Sequence, residues 1–199
     1  MRTSDEELMM KCRNGDMSAF ELIVMRYKDL ITNFIYRSIG DYHRAEDLAQ
    51  ETFLRVFRGA NRYEPKCQFK NWLYLIATNL CRNEIRDRKR RNTTYLDDLV
   101  PDSEEVSYFE LMQDVSQLPD EVYEKKEQQI IIQQTINRLP ENQRLALLLV
   151  SYQNLRYDEI AEVLECSVSA VKSLIHRARQ NMKTLLIEIG IGESSHAKV

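Results

Sequence analysis

Apolar residues recur in steps of three and four along most of the 199-residue chain, which is the period of an amphipathic α-helix. One stripe runs from Phe20 to Phe34, and a second runs from Ala45 to Phe57. A capping box of Ser4 with Glu7 predicts an earlier helix, and a box of Ser18 with Glu21 predicts the start of the next. The pattern therefore predicts a helical first half, with Gly40 ending its longest early helix.

Apolar period and turn residues also predict the elements in the rest of the chain. The residues from Asn61 to Gln68 predict a loop, because they include a proline and follow no period. The further helices are predicted at about residues 70–91, 119–138, 141–152, 157–164 and 168–183. With only 5 glycines and 4 prolines, the chain has few of the turn residues that sandwiches, barrels and phosphate loops need. We therefore expect an all-α fold.

Composition and motifs exclude several further classes of protein. No apolar run approaches the roughly 18 residues of a membrane span, and the first residues lack the apolar core of a signal peptide. The four cysteines are widely spaced, so we expect reduced thiols in the core of a cytoplasmic protein. The chain has no Walker loop, no GxSxG, no HExxH and no metal-ligand spacing of its histidines, so we expect no enzyme, no metal and no cofactor.

The net charge of -3 is a sum over unlike parts. Residues 92–127 hold eleven acids and two bases, a net charge of −9, which leaves +6 for the rest. This acidic stretch follows no clean period and predicts a flexible linker between two small helical domains. The predicted organisation is a four-helix domain at 1–91, the linker at 92–127, a helix-turn-helix domain at 128–189 and a flexible tail at 190–199.

The last two predicted helices have the pattern of a helix-turn-helix motif. A short helix, the turn Glu165-Cys166-Ser167 and a longer basic helix follow one another, and Ala161 is small where the helices cross. Polar side chains on the outer face of the longer helix can reach bases and phosphates of duplex DNA. These candidate side chains are Ser169, Lys172, Ser173, His176 and Arg177. An ordinary helical hairpin with a solvated basic face is the alternative.

The helix at 70–91 mixes aromatic rings, amides and bases. Rings stack on unpaired nucleotides, cations hold phosphates and amides read base edges. The candidates on this helix and at its start are Phe69, Asn71, Tyr74, Thr78, Asn79, Arg82, Asn83 and Arg86. A core helix with a solvated basic end is the alternative, and Trp72 and Ile76 are core residues under either interpretation.

The helix at 44–59 carries a polar face opposite its apolar stripe. Its candidate partner-binding residues are Asp47, Gln50, Glu51 and Arg55. A polar helix face of this kind usually contacts only solvent. The spacing of its residues does not show whether this face is simply exposed or docks on the helices of a partner.

Taken in order, these segments resemble the bacterial RNA polymerase sigma factors of the extracytoplasmic-function (ECF) group. The resemblance lies in residues 45–57, 69–79, 139–141, 157–161 and 171–179. It departs from the common pattern at Leu174, where many members have Arg, at Glu165, where many have Gly, and at Asn83, where Asp is frequent.

The resemblance implies that Asp47, Gln50, Glu51 and Arg55 bind the clamp helices of core RNA polymerase. It implies that the helix-turn-helix domain binds the minus-thirty-five duplex and the polymerase flap. The loop from Arg62 to Gln68, with Lys66, and the helix after it would capture a flipped base of the melted minus-ten non-template strand. An anti-sigma factor is an expected partner, and a stress or envelope response is the expected setting. A helix-turn-helix regulator that binds duplex DNA without polymerase is the alternative.

Overall fold

The computed structural model describes residues 3–65, 68–94 and 120–189, with backbone alone at 92–94 and 120–127. Every regular element within these ranges is helical. The elements are α1 (Asp5–Arg13), α2 (Met17–Ile39), α3 (Tyr42–Gly59), a short 3-10 helix (Ala60–Arg62), α4 (Phe69–Thr94), α5 (Asp120–Asn137), α6 (Glu141–Ser151), α7 (Tyr157–Leu164) and α8 (Val168–Glu188). The predicted all-α fold is confirmed.

Local caps determine where the early helices begin. The capping box of Ser4 and Glu7 is present, with both hydrogen bonds at 3.1 Å. The box predicted at Ser18 is wrong: Asp16 caps α2 and accepts hydrogen bonds from the N–H groups of residues 18 and 19. An aspartate one residue before the helix satisfies the first free N–H groups as well as a serine does, and it begins the helix earlier.

The first half is a bundle of α1 to α4. The predicted stripe of α3, with Ala45 and Val56 wholly buried, faces α2 and α4. The amide N–H of Phe69 donates to the Glu6 carboxylate at 3.0 Å, which joins the start of α4 to α1. Phe69 itself is fully buried and contacts the rings of Tyr27 and Trp72 edge-on.

The second half packs α6, α7 and α8 around a core that includes Leu148, Ile160 and Val171. Helices α7 and α8 form the predicted helix-turn-helix. Glu165 ends α7 in the left-handed conformation, with φ 54°, and Ser167 caps α8 by accepting a hydrogen bond from the N–H of residue 170. The turn therefore has the left-handed backbone geometry that favours glycine.

The two halves share a core. Helix α4 lies against α7, and α2 lies against α5 and α6, so that buried apolar residues of both halves form one contiguous cluster. Arg144 of α6 donates to the carbonyl of Ser38 at 2.6 Å across this boundary. Gly40 ends α2 with φ 77°, and a Cβ there would lie 2.6 Å from the amide nitrogen of Asn137.

Several predictions fall at the edges of the described ranges. The predicted linker lies largely outside them, with helical backbone at 92–94 and 120–127, and the predicted tail beyond Ile189 also lies outside. Cys12 and Cys81 are buried free thiols, and burial raises the pKa of Cys81 to about 12. No helix within the described ranges combines the length and apolar character that crossing a membrane requires.

Candidate nucleic-acid interface

The outer face of α8 presents every one of its candidate residues to solvent. Ser169, Lys172, Ser173, His176 and Arg177 are all exposed, while Val171 and Ile175 of the same helix are buried against α7. Among the described residues, neither Lys172 nor Arg177 forms an ion pair. The structure therefore leaves both cations available for phosphates or base edges.

The minus-ten candidates on α4 and the loop before it differ in their exposure to solvent. Arg62, Asn83 and Arg86 are exposed, Asn79 and Arg82 are half-buried, and Lys66 lies outside the described residues. Phe69, Asn71, Tyr74 and Thr78 are buried. The ring of Phe69 packs in the aromatic cluster of the first half described above.

Four of these candidates form a single stripe along α4. Asn71, Tyr74, Thr78 and Arg82 follow one another in steps of three and four, so they share one face of the helix. Three of them bind the second half: Asn71 donates to Glu162 at 2.8 Å, Tyr74 donates to the side chain of Gln153, and Arg82 lies 3.7 Å from a Glu141 oxygen. The stripe of predicted base-reading side chains is therefore the surface that α7 and the loop before it cover.

The basic end of α4 is organised by a carboxylate that the sequence pattern did not single out. Glu84 accepts hydrogen bonds from Arg44 at 2.8 Å and Arg88 at 2.9 Å, and its side chain is only 5% exposed. Burial by itself would raise the pKa of Glu84, but the bonds from Arg88 and Arg44 outweigh it and hold the pKa below 4.5. The i,i+4 spacing of Glu84 and Arg88 indicates their ion pair in the sequence. Arg44 and Glu84 are forty residues apart, so no local pattern indicates the contact between them.

The polar face of α3 borders a groove between α2 and α3. Asp47, Gln50 and Arg55 are exposed and Glu51 is half-buried, so the four candidates lie together on the outer side of the helix. Arg55 donates to Glu51 at 2.7 Å, and this hydrogen bond lowers the pKa of Glu51.

That groove has a largely apolar floor. The side chains that line it include Phe20, Val24, Ala49, Gln50, Phe53 and Leu54. The α2 side of the groove, which includes Lys28 and Asn33, was not among the predicted site residues, because its polar positions carry no pattern beyond that of a solvated face.

A second groove lies between α5, α6 and α8. Ile132, Ile136, Leu147, Met182 and Leu186 line it, and Arg179 and Lys183 lie at its side. Ile187 at one end is 47% exposed. Within the described ranges, each half therefore carries an apolar groove on a surface that the contact between the halves leaves open.

Comparison with known proteins identifies the family. The model of "Sigma-70 region 2" matches residues 23–91, and that of "Sigma-70, region 4" matches residues 129–182. The chain is 36% identical to the ECF RNA polymerase sigma factor SigW of Bacillus subtilis, over 92% of this chain and 100% of the relative. It is 34% identical to the RNA polymerase sigma-H factor of Pseudomonas aeruginosa, over 88% of this chain and 90% of the relative. The chain belongs to the ECF family of RNA polymerase sigma factors.

A solved structure shows the same fold. The sigma factor RpoE in complex with the anti-sigma factor NepR, from Bartonella quintana, superposes with a TM-score of 0.65 at 21% identity, covering 84% of this chain and 96% of that chain. The resemblance to ECF sigma factors inferred from the sequence is thus confirmed. The alternative, a helix-turn-helix regulator that binds duplex DNA without polymerase, is not favoured. The domain boundaries and the individual site residues stay predictions.

Proposed function

We propose that this chain binds core RNA polymerase in the cytoplasm and directs promoter recognition, DNA melting and transcription initiation. The observation that carries the proposal is the exposed polar face of α8 on a helix-turn-helix. Ser169, Lys172, Ser173, His176 and Arg177 project from the first turns of that helix, where a recognition helix meets base edges in the major groove. In the proposal, α8 reads the minus-thirty-five duplex.

The groove between α2 and α3 is the proposed site for the clamp helices of the polymerase. Its apolar floor buries surface, and Gln50 at its α3 side supplies hydrogen-bond specificity, while Asp47 supplies charge from the neighbouring exposed face of the same helix. A groove of this shape between two helices suits a helical partner. Glu51 and Arg55 bind each other, so their contribution is to present a fixed ion pair on the outer side of α3.

The groove between α5, α6 and α8 is the proposed site for the polymerase flap. Its lining is mostly apolar, and Arg179 and Lys183 flank it, which favours a helical segment with acidic residues at its side. The groove between α2 and α3 lies on the other half from α8, and the second groove uses the later turns of α8, beyond the candidate residues on its first turns.

Minus-ten recognition is assigned to α4 and the loop before it. Asn79 supplies an amide, and Arg82 and Arg86 supply positive charge along the helix, whereas the predicted ring of Tyr74 and amide of Asn71 are buried in this structure. Strand opening costs a few kcal/mol for each unstacked base, which contacts to the flipped base and its phosphates offset. The proposal needs no nucleotide cofactor, because binding energy drives the opening.

An anti-sigma factor is the proposed regulator, with a stress or envelope response as the setting. The related structure described above contains such a partner, which supports this assignment. The two apolar grooves are surfaces that an inhibitor and the polymerase could compete for, since each is open in the free chain.

Run-off transcription with purified core polymerase tests the proposal. We expect the full chain to produce transcripts with defined starts from a genomic fragment library, whereas core polymerase alone produces none. Retention of duplex DNA by the chain, without any polymerase-dependent start, would instead support a regulator that is not a sigma subunit.

A further inference from the structure

Helix α1 contacts both ends of the loop that leads into α4. At the start of this loop, Arg13 donates to the backbone carbonyl of Tyr63 at 3.3 Å. At its end, the N–H of Phe69 donates to the Glu6 carboxylate at 3.0 Å. These contacts join residues 50 and 63 positions apart in the sequence, so they belong to the tertiary structure and not to a local turn.

The two ends of the loop are buried, whereas the described residues between them are exposed. Tyr63 is 4% exposed and Phe69 is 0% exposed, and their rings meet edge-on with centroids 6.2 Å apart. Glu64, Pro65 and Gln68 are exposed. The loop therefore leaves the core and returns to it at neighbouring points, and α1 bonds the backbone at both of them.

The bond from Phe69 to Glu6 caps α4 from another helix. Phe69 is the first residue of α4, and the N–H groups of a first turn have no carbonyl partner within their own helix. A carboxylate is favoured at this position because a helix N-terminus carries partial positive charge. Asp16 supplies such an acceptor to α2 from the adjacent residue, whereas α4 receives one from α1. The start of α4 is thus located relative to α1.

Helix α1 is itself fixed on the first half. Leu8 and Met9 are 2% and 0% exposed, so its apolar face lies in the core. The Asp5 carboxylate accepts hydrogen bonds from the Tyr27 hydroxyl at 2.5 Å and from Arg26 at 2.6 Å, both on α2. Because α1 cannot shift without breaking these contacts, it gives Glu6 and Arg13 fixed positions beside the loop.

We propose that Glu6 and Arg13 are positioning residues for minus-ten recognition. They hold the two ends of the loop and so determine where its exposed side chains meet a flipped base, without touching DNA themselves. Base contacts specify sequence and depend on placement to within about 0.5 Å, so release of the loop ends lowers discrimination between bases. The proposal rests on the assignment of this loop to minus-ten recognition made above.

The test uses the full chain in complex with core polymerase, on a promoter mapped from the run-off starts. Each base of the minus-ten element is substituted in turn. The ratio of transcript from the original template to transcript from the substituted template measures base discrimination. At the captured base we expect a ratio of about ten or more for the parent, and of about three or less for Glu6→Ala/Arg13→Ala. Ratios for substitutions in the minus-thirty-five element are expected to stay unchanged.

A matched control removes the same two residue types from the same helix. In Glu7→Ala/Lys11→Ala, the acid lost from the first turn is the one that accepts from the Ser4 N–H. Within the described ranges, no hydrogen bond joins the side chain of Glu7 or Lys11 to the loop. We expect this control to keep the minus-ten ratio of the parent, and an equal fall of the ratio in the control would overturn the proposal.

Conservative variants test whether the two hydrogen bonds carry the effect. Glu6→Gln keeps an oxygen that accepts from the Phe69 N–H, and Arg13→Lys keeps a donor for the Tyr63 carbonyl. Both single variants are expected to discriminate bases as the parent does. Ratios as low as those of the alanine variant would show that the charge or the size of these side chains matters, and not the hold on the loop.

A purely structural role gives a different result. If α1 only stabilises the fold, Glu6→Ala/Arg13→Ala lowers the thermal midpoint and reduces transcript from every template by the same factor. The minus-ten ratio then equals that of the parent, which would overturn the positioning role. A fall in the minus-thirty-five ratios as well would also overturn it, because the change would then extend beyond the loop.

The same measurements distinguish this proposal from the sigma function on which it rests. If the parent gives no defined starts with core polymerase, the proposed function fails and the role in base discrimination fails with it. If the parent initiates and the alanine variant discriminates equally well, the sigma function stands and the positioning role is wrong. Hydrogen exchange of the Phe69 amide is expected to be faster in Glu6→Ala than in the parent, and unchanged exchange would show that Glu6 does not hold this end of the loop.

Discussion

Glu165 occupies a backbone conformation that suits glycine. Its φ of 54° lies in the left-handed region, which costs a residue with a Cβ about 1 kcal/mol. We expect Glu165→Gly to raise the free energy of unfolding by about that amount, measured by urea denaturation. Gln180→Gly, in the regular middle of α8, is the control and is expected to lower it by about 1 kcal/mol. A loss of stability in Glu165→Gly would contradict the assignment.

Glu84 makes the stability of the first half depend on pH. Its pKa in the folded chain is below the ordinary value of 4.5, so its contribution is fully present above about pH 4.5 and is lost as the pH falls through the lowered pKa. We expect Glu84→Gln to lower the free energy of unfolding by about 1–3 kcal/mol at pH 7.

Denaturant titrations between pH 7 and pH 3 check this sign. The difference between the parent and Glu84→Gln is expected to shrink as the pH falls, because the parent loses the charge that the variant never had. A difference that stays constant across this range would show that Glu84 acts through packing instead of through its charge. Asp87→Asn is a suitable control, since Asp87 is exposed and pairs with Arg90 at 3.4 Å on the same helix.

At the scale of elements, α8 carries the proposed duplex-reading face. Lys172 and Arg177 project into solvent with no ion pair among the described residues, so we expect their loss to change DNA binding and to leave folding stability nearly unchanged. We expect Lys172→Ala and Arg177→Ala each to weaken binding of promoter duplex by about 1–3 kcal/mol if the side chain reads a base. The duplexes are those mapped upstream of the run-off starts, and affinity is titrated at two salt concentrations.

A phosphate contact gives a different signature from a base contact. Loss of a phosphate contact weakens binding to all duplexes alike and reduces the salt slope by about one. Gln180→Ala, on an exposed turn of the same helix, is expected to change neither quantity. Unchanged affinity and slope in both Lys172→Ala and Arg177→Ala would remove α8 from DNA recognition.

Helix α3 gives the corresponding prediction for the polymerase. We expect Asp47→Ala/Gln50→Ala to weaken binding to core polymerase by at least about tenfold, or 1.4 kcal/mol, with little change in thermal stability because both side chains are exposed. The matched control is Asp87→Ala/Gln180→Ala, which removes the same residue types from other exposed helix faces. Fluorescence anisotropy of the labelled chain measures the affinity, and equal affinities for both double variants would contradict the assignment.

The elements themselves were largely predictable from sequence. Period and caps act within four residues, so the α3 stripe, the Ser4 capping box and the turn at Glu165 all carry their information locally. The start of α2 was misplaced because Asp16 and Ser18 both have N-cap chemistry, and only the backbone decides between them.

At the scale of the whole molecule, the contact between the halves could not have been predicted. Lys70 and Gln153 are 83 residues apart, and Asn71 and Glu162 are 91 apart. No local sequence pattern indicates either pair. Taken alone, each of these four residues would be predicted to be a polar surface residue. The residue types on the α4 face suggest nucleic acid, yet the same amides and hydroxyls also bind another protein surface, so composition does not distinguish an open face from a covered one.

Substitution of Arg144 tests how strongly the two halves are joined. Besides Ser38, it donates to the carbonyls of Asn137 and, at 3.1 Å, Leu139, and burial lowers its pKa. We expect the parent to unfold in one transition, with the same midpoint by the fluorescence of its only tryptophan, Trp72, and by circular dichroism. In Arg144→Ala, which strands buried carbonyls at a cost of about 1–3 kcal/mol, we expect the two midpoints to separate. Separate midpoints already in the parent would show that the halves unfold independently.

Gly40 has a consequence for how the chain can vary. A side chain there meets two obstacles, the positive φ and the tip of Asn137, and they differ in how they can be relieved. The amide tip can rotate aside, whereas the left-handed backbone disfavours every residue with a Cβ. In a suppressor screen, a second change at position 137 would therefore restore little of what a substitution at position 40 removes. Reversion to glycine would be the main route back.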